Sequence, residues 1–317
     1  MAPVVFVFLD GVGLGPDDES NPFWTAQTPA LRRLLGAPLA DGLVVEQPGL
    51  LLKGVDACLG VAGLPQSATG QTALFTGVNA PAVEGMHISA WPTAKLREVI
   101  AQHSLLKRAV EAGFRVTFAN AYSKRYWQLV ERRKLRHSAS TLTNMAASLP
   151  FRTLDDLRRG EAVYWDITHL AAREYNRFDL PLIAPEQAGA RLANLSQAYD
   201  LVMYETFLPD LVGHRRAQLD PVLFLDQMLD PFLAGLLETV APEATVVICS
   251  DHGNLENTRS KAHTRNPVPL LAAGPGAACF CNAAAITDVA DGILATLHRS
   301  RCGRTPSEPL KRTASPR

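Results

Sequence analysis

The chain has 317 residues, 47% of them apolar, and its 31 Lys plus Arg are balanced by 31 Asp plus Glu. A chain of this length exceeds the usual single core, so one large domain with a smaller insertion is expected, and its formal neutrality argues against a general nucleic-acid or membrane-surface binder. No apolar run approaches the ~18 residues of a spanning helix. The first apolar run is short, contains Asp10 and has no basic lead, so no signal peptide is expected either.

In chain order, apolar runs predict strands over 3–9, 115–120, 199–205, 244–250 and 268–273, and helices over 28–35, 68–76, 94–112, 186–197, 220–239 and 284–298. Alternation of this kind predicts an α/β fold with a largely parallel sheet flanked by helices. In the 220–239 helix, Leu223, Leu225, Met228, Leu229, Phe232, Leu233 and Leu236 form an apolar face at helical spacing, which reads as core. The end from 300 to 317 has too little apolar content to pack and is expected to be disordered. Cys58, Cys249, Cys279, Cys281 and Cys302 are odd in number, and Cys249 sits in an apolar run; reduced thiols and a cytoplasmic location are expected. Cys279-Phe-Cys281 has no second pair at zinc-ribbon spacing and reads as structural.

Four segments carry chemistry. Ser250-Asp251-His252-Gly253-Asn254 follows the apolar run Thr245–Cys249 and leads to His263-Thr264-Arg265-Asn266-Pro267-Val268-Pro269. A strand ending in Asp-His presents both side chains at its C-terminal edge, where open α/β sheets hold ligands, and this pairing suits Zn or Mn. Val4–Leu9 likewise ends in Asp10 and turns on Gly11 and Gly13. A carboxylate there would repel a pyrophosphate, so these glycines read as a turn around an ion rather than a dinucleotide fingerprint. Gln66-Ser67-Ala68-Thr69-Gly70 sets Ser67 near a helix N-terminus. Asp210 and His214 share a face if their segment is helical. Singly, these residues also fit a turn carboxylate, an N-cap serine and a helical ion pair.

The four segments, in this order, resemble the alkaline phosphatase superfamily, nearest its branch of cofactor-independent phosphoglycerate mutase and phosphopentomutase. The likeness covers roughly residues 1–122 and 186–300. The Asp251–Pro269 stretch resembles the mutases, and Ser67–Gly77 resembles the nucleophile helix of alkaline phosphatases. The resemblance implies an alkaline-phosphatase-like core (1–122 and 186–299) with a small inserted cap (123–185). It implies one metal ion on Asp210, His214 and His263, and a second on Asp10, Asp251 and His252 with the Ser67 oxygen. The ions would be Mn or Zn, with Mg acceptable at one site. Ser67 would attack, forming a phosphoserine.

In the cap, Lys124 and Arg125 are the candidate substrate-binding cations. The remaining histidines, His87, His103, His137, His169 and His298, receive no role. Gln66 stands where alkaline phosphatases have an acidic residue, and the Asn-Ser-Glu nucleophile motif of phosphoglycerate mutase is absent. The implied function is phosphoryl transfer on a small phosphorylated metabolite, as a phosphohydrolase or else a phosphomutase that excludes water. A metal-stabilised binding protein without catalysis is the alternative of another class. Neither nucleic acid nor membrane is an expected partner, and oligomeric state is open.

Overall fold

The computed structural model describes residues 2–174 and 176–302. Nine strands are present among them: β1 (Val4–Leu9), β2 (Val45–Gln47), β3 (Leu50–Val55), β4 (Val116–Phe118), β5 (Ala121–Tyr122), β6 (Arg152–Thr153), β7 (Leu201–Thr206), β8 (Thr245–Cys249) and β9 (Val268–Ala273). Seven form one sheet in the order β2-β3-β9-β8-β1-β7-β4, and β5 pairs with β6. Every residue of β1, β7 and β8 is buried, because helices cover both faces. Side chains alternate between the two covered faces: Val4, Phe6 and Phe8 enter one apolar core, Val5, Val7 and Leu9 the other.

The expected largely parallel sheet is corrected to a mixed one. From β8 through β1 and β7 to β4 the pairing is parallel, whereas β9, β3 and β2 pair antiparallel. Parallel neighbours need a long crossover, and the segments between β1, β4, β7 and β8 supply helices for it. Between β8 and β9 there is no named helix, only the loop 250–267, so the chain folds back antiparallel. That loop carries Asp251, His252 and His263. Short β2 and β3 escaped the sequence reading because Leu50–Val55 does not alternate and Gly49 interrupts the pair.

The expected helix over 94–112 is two helices, Ala94–His103 and Leu105–Glu111. Ser104 divides them; its hydroxyl accepts from the Lys107 N–H at 3.2 Å and donates to the Thr143 carbonyl at 2.9 Å. In the 220–239 region a π-helical turn, Leu225–Leu229, joins Pro221–Phe224 to Asp230–Thr239. The wider turn shifts the helical phase, so Leu225, Leu229, Phe232, Leu233 and Leu236 are buried, Met228 is partly buried, and Leu223 is left 52% exposed instead of joining the core. The last helix runs Asp288–Cys302; residues 303–317 of the expected disordered end lie outside the described residues.

Between residues 123 and 185 the chain does several things. Helix Lys124–Glu131 buries no residue. Ala139 and Ala147 pack into the main core, while Ala121, Leu157, Ala162, Tyr164, Ala172 and Leu180 make a small core of their own. No helix among the described residues is long and apolar enough to cross a membrane.

Candidate active site

Strands β8, β1 and β7 run parallel, so their C-terminal ends lie along one edge and present Ser250–His252, Asp10 and Glu205 together. Gly11 turns the chain after Asp10 with φ +76°, and its Cα lies so close to Asp210 that a Cβ there would stand 2.9 Å from that residue's backbone. Asp210 belongs to helix Leu208–Gly213, and His214 ends it, with the His214 N–H donating to the Asp210 carbonyl at 2.9 Å. Ser67 is the first residue of helix Ser67–Thr76, whose other nine residues are all buried.

Two clusters result. Asp210, His214 and His263 form one, and Asp10, Asp251 and His252 the other, each with one ligand atom per residue lying within 4.8 Å of the others. The rings of His252 and His263 stack at 3.7 Å between centroids, so the clusters adjoin. Ser67 Oγ lies 3.0 Å from His252 Nε2, which is also 3.3 Å from Asp10 Oδ1 and 3.4 Å from Asp251 Oδ2.

The donor set fits divalent cations. His214 Nδ1 and His263 Nδ1 contact the carbonyls of Lys261 and Pro65 at 2.6 and 2.8 Å. Carbonyls only accept, so each Nδ1 carries a proton, and in the neutral ring each Nε2 keeps a lone pair. Those two lone pairs face each other at 3.1 Å, with Asp210 Oδ1 at 3.3 and 3.5 Å. With both rings neutral, three electron-rich atoms converge, an arrangement a cation relieves; against the opposing effect of burial, Asp210 raises the His263 pKa, the same demand for positive charge. Asp10 Oδ1, Asp210 Oδ1 and Asp251 Oδ2 are buried without a hydrogen-bond partner.

The electrostatics agree. Burial, then the repulsion of Asp251 and other carboxylates, raises Asp10 well above the usual carboxylate range. Burial and Asp210 push Asp251 up to about 7, and burial, reinforced by His263, pushes His252 down to about 3. A neutral imidazole is the metal-binding form.

A supporting layer was not legible in the sequence reading. Gln71 Nε2 donates to Asp10 Oδ2 at 3.2 Å, one helical turn beyond Ser67. Ser250 Oγ accepts from Val12 N–H at 2.9 Å and donates to the His252 carbonyl at 3.0 Å. Glu256 is fully buried and accepts from the Gly13 and Asn254 N–H groups at 2.9 and 2.8 Å, from the Asn266 side chain at 3.0 Å, and from the Thr264 hydroxyl. Only its place five residues after Asp251 hinted at it. Glu205, 2% exposed, also faces the site; burial raises its carboxyl to about 7, and its Oε2 has no partner.

The nucleophile helix approaches the metal-ligand loop closely. A Cβ on Gly70 would meet the Asp251 carbonyl oxygen at 2.7 Å. Gly70→Ala is therefore expected to push the helix off the loop and cost about 1–3 kcal/mol, read as a lower Tm; an unchanged Tm would show that the contact yields freely.

A cavity of about 780 Å³ opens over the clusters, lined among others by Ser67, Arg125, Arg136 and Arg216. Arg125 thus sits at the site, while Lys124, exposed, is not among the lining residues.

Residues 184–301 match the Metalloenzyme superfamily. The chain is 36% identical over 102 residues to the 2,3-bisphosphoglycerate-independent phosphoglycerate mutase of Desulforudis audaxviator, covering 30% of this chain and 20% of that protein. The corresponding enzyme of Paracoccus denitrificans is 32% identical over 122 residues, covering 36% and 24%. The chain thus spans about a quarter or less of the curated relatives it matches. In fold it is similar to a Pyrococcus horikoshii protein (TM-score 0.53, 14% identity, 94% of this chain and 98% of that one). It is also similar to Leishmania mexicana phosphoglycerate mutase at low cobalt concentration (TM-score 0.50, 12% identity, 93% and 95%). The sheet edge and the paired clusters define an α/β protein with a candidate metal centre at its strand ends. The sequence likeness is thus to the Metalloenzyme superfamily over residues 184–301 and to parts of phosphoglycerate mutases, and the likeness to the solved structures is one of fold.

Proposed function

We propose that the chain is a phosphoryl-transfer enzyme acting on small phosphomonoesters through Ser67, and that hydrolysis is its outcome. The observation that carries this reading is the position of Ser67 Oγ, 3.0 Å from His252 Nε2 and beside two adjoining clusters of carboxylates and imidazoles in which Asp10 Oδ1, Asp210 Oδ1 and Asp251 Oδ2 lack a hydrogen-bond partner. Asp210, His214 and His263 would hold one divalent ion, and Asp10, Asp251, His252 and Ser67 the other. Bound there, the ions would supply charge neutralisation and a lowered hydroxyl pKa for an in-line displacement.

The chain's own residues do the rest. Ser67 stands at a helix start whose N-cap, Gln66, makes no side-chain cap bond; the Thr69 N–H donates to the Ile88 carbonyl at 3.3 Å, which leaves the Ser67 and Ala68 N–H groups for an incoming phosphate. Gln71 fixes Asp10, and Arg125 at the cavity mouth offers a forked donor to phosphate oxygens. Ser67 Oγ bonds to phosphorus as the substrate's alkoxide leaves with a proton; water then displaces phosphate and regenerates the hydroxyl. We assign residues 123–185, apart from the helix Ala139–Ala146 that packs on the core, to the cap over this site, and we place the protein in the cytoplasm. A mutase outcome, returning the phosphoryl group to a second hydroxyl, is the other reading, because the matched curated relatives are mutases.

The test combines metal content with hydrolysis of a generic aryl phosphate, using chelated protein reloaded with Mn or Zn. Two ions per chain, metal-dependent phosphate release and a Tm raised by metal are expected. Two ions with no release favour the mutase; no bound metal under any condition overturns the assignment.

A further inference from the structure

The cavity over Ser67 is far larger than phosphoryl transfer requires. At about 780 Å³ it falls among pockets that enclose drug-sized ligands, and a three-carbon phosphate would occupy only a small part of it. Its walls are unusually aromatic: Trp91, Tyr122, Tyr126, Tyr164, Trp165 and Phe207 all line it. Trp165 and Phe207 lie against each other at 5.3 Å and 35° between planes, and Tyr122 and Tyr126 meet edge to face at 4.8 Å. Rings of this kind would be out of place around a small polyanion, which needs donors rather than π faces.

Trp91 stands apart from the others. It is 36% exposed, although a side chain of its size is normally well covered. It also follows Ala90, which adopts φ +61°, a left-handed conformation a Cβ-bearing residue seldom takes. The Trp91 N–H donates to the Ser89 carbonyl at 2.8 Å, closing a tight three-residue turn around Ala90. Strain of this sort persists at ligand clamps, where the gain comes with the ligand. The side-chain amide of Asn176, another lining residue, makes among the described residues only a long 3.5 Å contact to the Ala171 carbonyl. Its amide therefore has capacity for the paired donor and acceptor of a ring edge.

We propose that the cavity takes a phosphomonoester whose alcohol carries a planar aromatic ring of nucleobase size, with Trp91 the specificity-determining residue that stacks on it. This rests on the phosphoryl-transfer reading above and adds the substrate class. The phosphate would lie at Ser67, and the ring would lie among the aromatic side chains. A linear aliphatic alcohol would fill the space without using the ring faces or the Asn176 amide. A bare sugar phosphate would leave the aromatic walls wet.

Nucleoside 5′-monophosphate and ribose 5-phosphate share the phosphoester and the sugar and differ only in the base, so they isolate the ring. The experiment titrates each into the metal-loaded Ser67→Ala protein by calorimetry, using adenosine 5′-monophosphate as the nucleotide. The nucleotide should bind at least about tenfold tighter, the order of one base–aromatic stack. Trp91→Ala in the same background should shrink that ratio at least about fivefold, and Trp91→Phe should restore most of it. Metal content and Tm of each variant report whether it folds. Equal binding of the two ligands, binding of neither, or a ratio unmoved in a folded Trp91→Ala protein would overturn the inference. Aryl phosphate hydrolysis by the wild type, measured alongside, separates the two levels. Hydrolysis with no ring preference sinks the substrate class alone; absence of both bound metal and hydrolysis sinks the phosphoryl-transfer reading itself.

Discussion

Ser67→Ala is expected to lower turnover of any phosphomonoester by on the order of a thousandfold or more, while leaving metal content nearly intact. The dissociation follows from the geometry. The Ser67 hydroxyl is one oxygen beside a cluster that already has Asp10, Asp251 and His252, so its loss removes the attacking atom but few donors. Asp251→Asn and His263→Ala should behave differently, because each removes a charged or lone-pair donor from one of the two clusters, in which Asp10 Oδ1, Asp210 Oδ1 and Asp251 Oδ2 have no hydrogen-bond partner. Both should lose activity and metal together. Rapid quench of the wild type with a ³²P-labelled substrate should trap acid-stable phosphate on the protein, and Ser67→Ala should trap none. A Ser67→Ala protein with full activity would rule out the covalent route through Ser67.

Much of this site could be read from the chain because its ligands stand at places where local sequence fixes direction. Asp10 and Asp251 each closely follow a strand of five or six buried residues, and a buried strand in a sheet covered on both faces must surface at its end. Asp210 and His214 are one helical turn apart, which a short helix converts into a 3.3 Å approach. The sheet's handedness of pairing was less legible. Whether β9 runs with or against β8 depends on what the intervening loop does, and loop 250–267 reads as polar whichever way it turns. The phase slip in helix 220–239 was hidden for a related reason. A π turn leaves the apolar composition unchanged while rotating Leu223 out to solvent. The cavity's aromatic wall was invisible for a third. Trp91, Trp165 and Phe207 come from segments distant in sequence, and no spacing rule joins them.

The least legible residue is the one whose removal should be felt most widely. Glu256 has no catalytic reach, yet its carboxylate joins three segments: the turn after β1 through Gly13, the Asp-His-Gly-Asn loop through Asn254, and the approach to β9 through Thr264 and Asn266. Those segments carry Asp10, Asp251 with His252, and His263 respectively. Glu256→Ala would leave four donors without their acceptor in a fully buried position. At about 1–3 kcal/mol for each buried donor left unpaired, even partial rescue by water leaves a loss of about 3–5 kcal/mol, a large fraction of ordinary stability. Glu256→Gln separates fold from function. Its amide oxygen can still accept from the Gly13 and Asn254 N–H groups, but its NH₂ group then meets the Asn266 donor, so the link toward His263 is weakened while the other two hold. Outer residues that orient metal ligands commonly change metal affinity by about 10–100-fold. Glu256→Gln is therefore expected to keep a Tm within a few degrees of wild type while weakening metal binding about tenfold, and Glu256→Ala to lose both. Competition against a chelator of known affinity, with apo-protein melting as the control, measures the two effects separately. If Glu256→Gln held metal as tightly as wild type, the clasp would serve folding alone, and the positions of Asp10, Asp251 and His263 would have to be set by their own strands and helices.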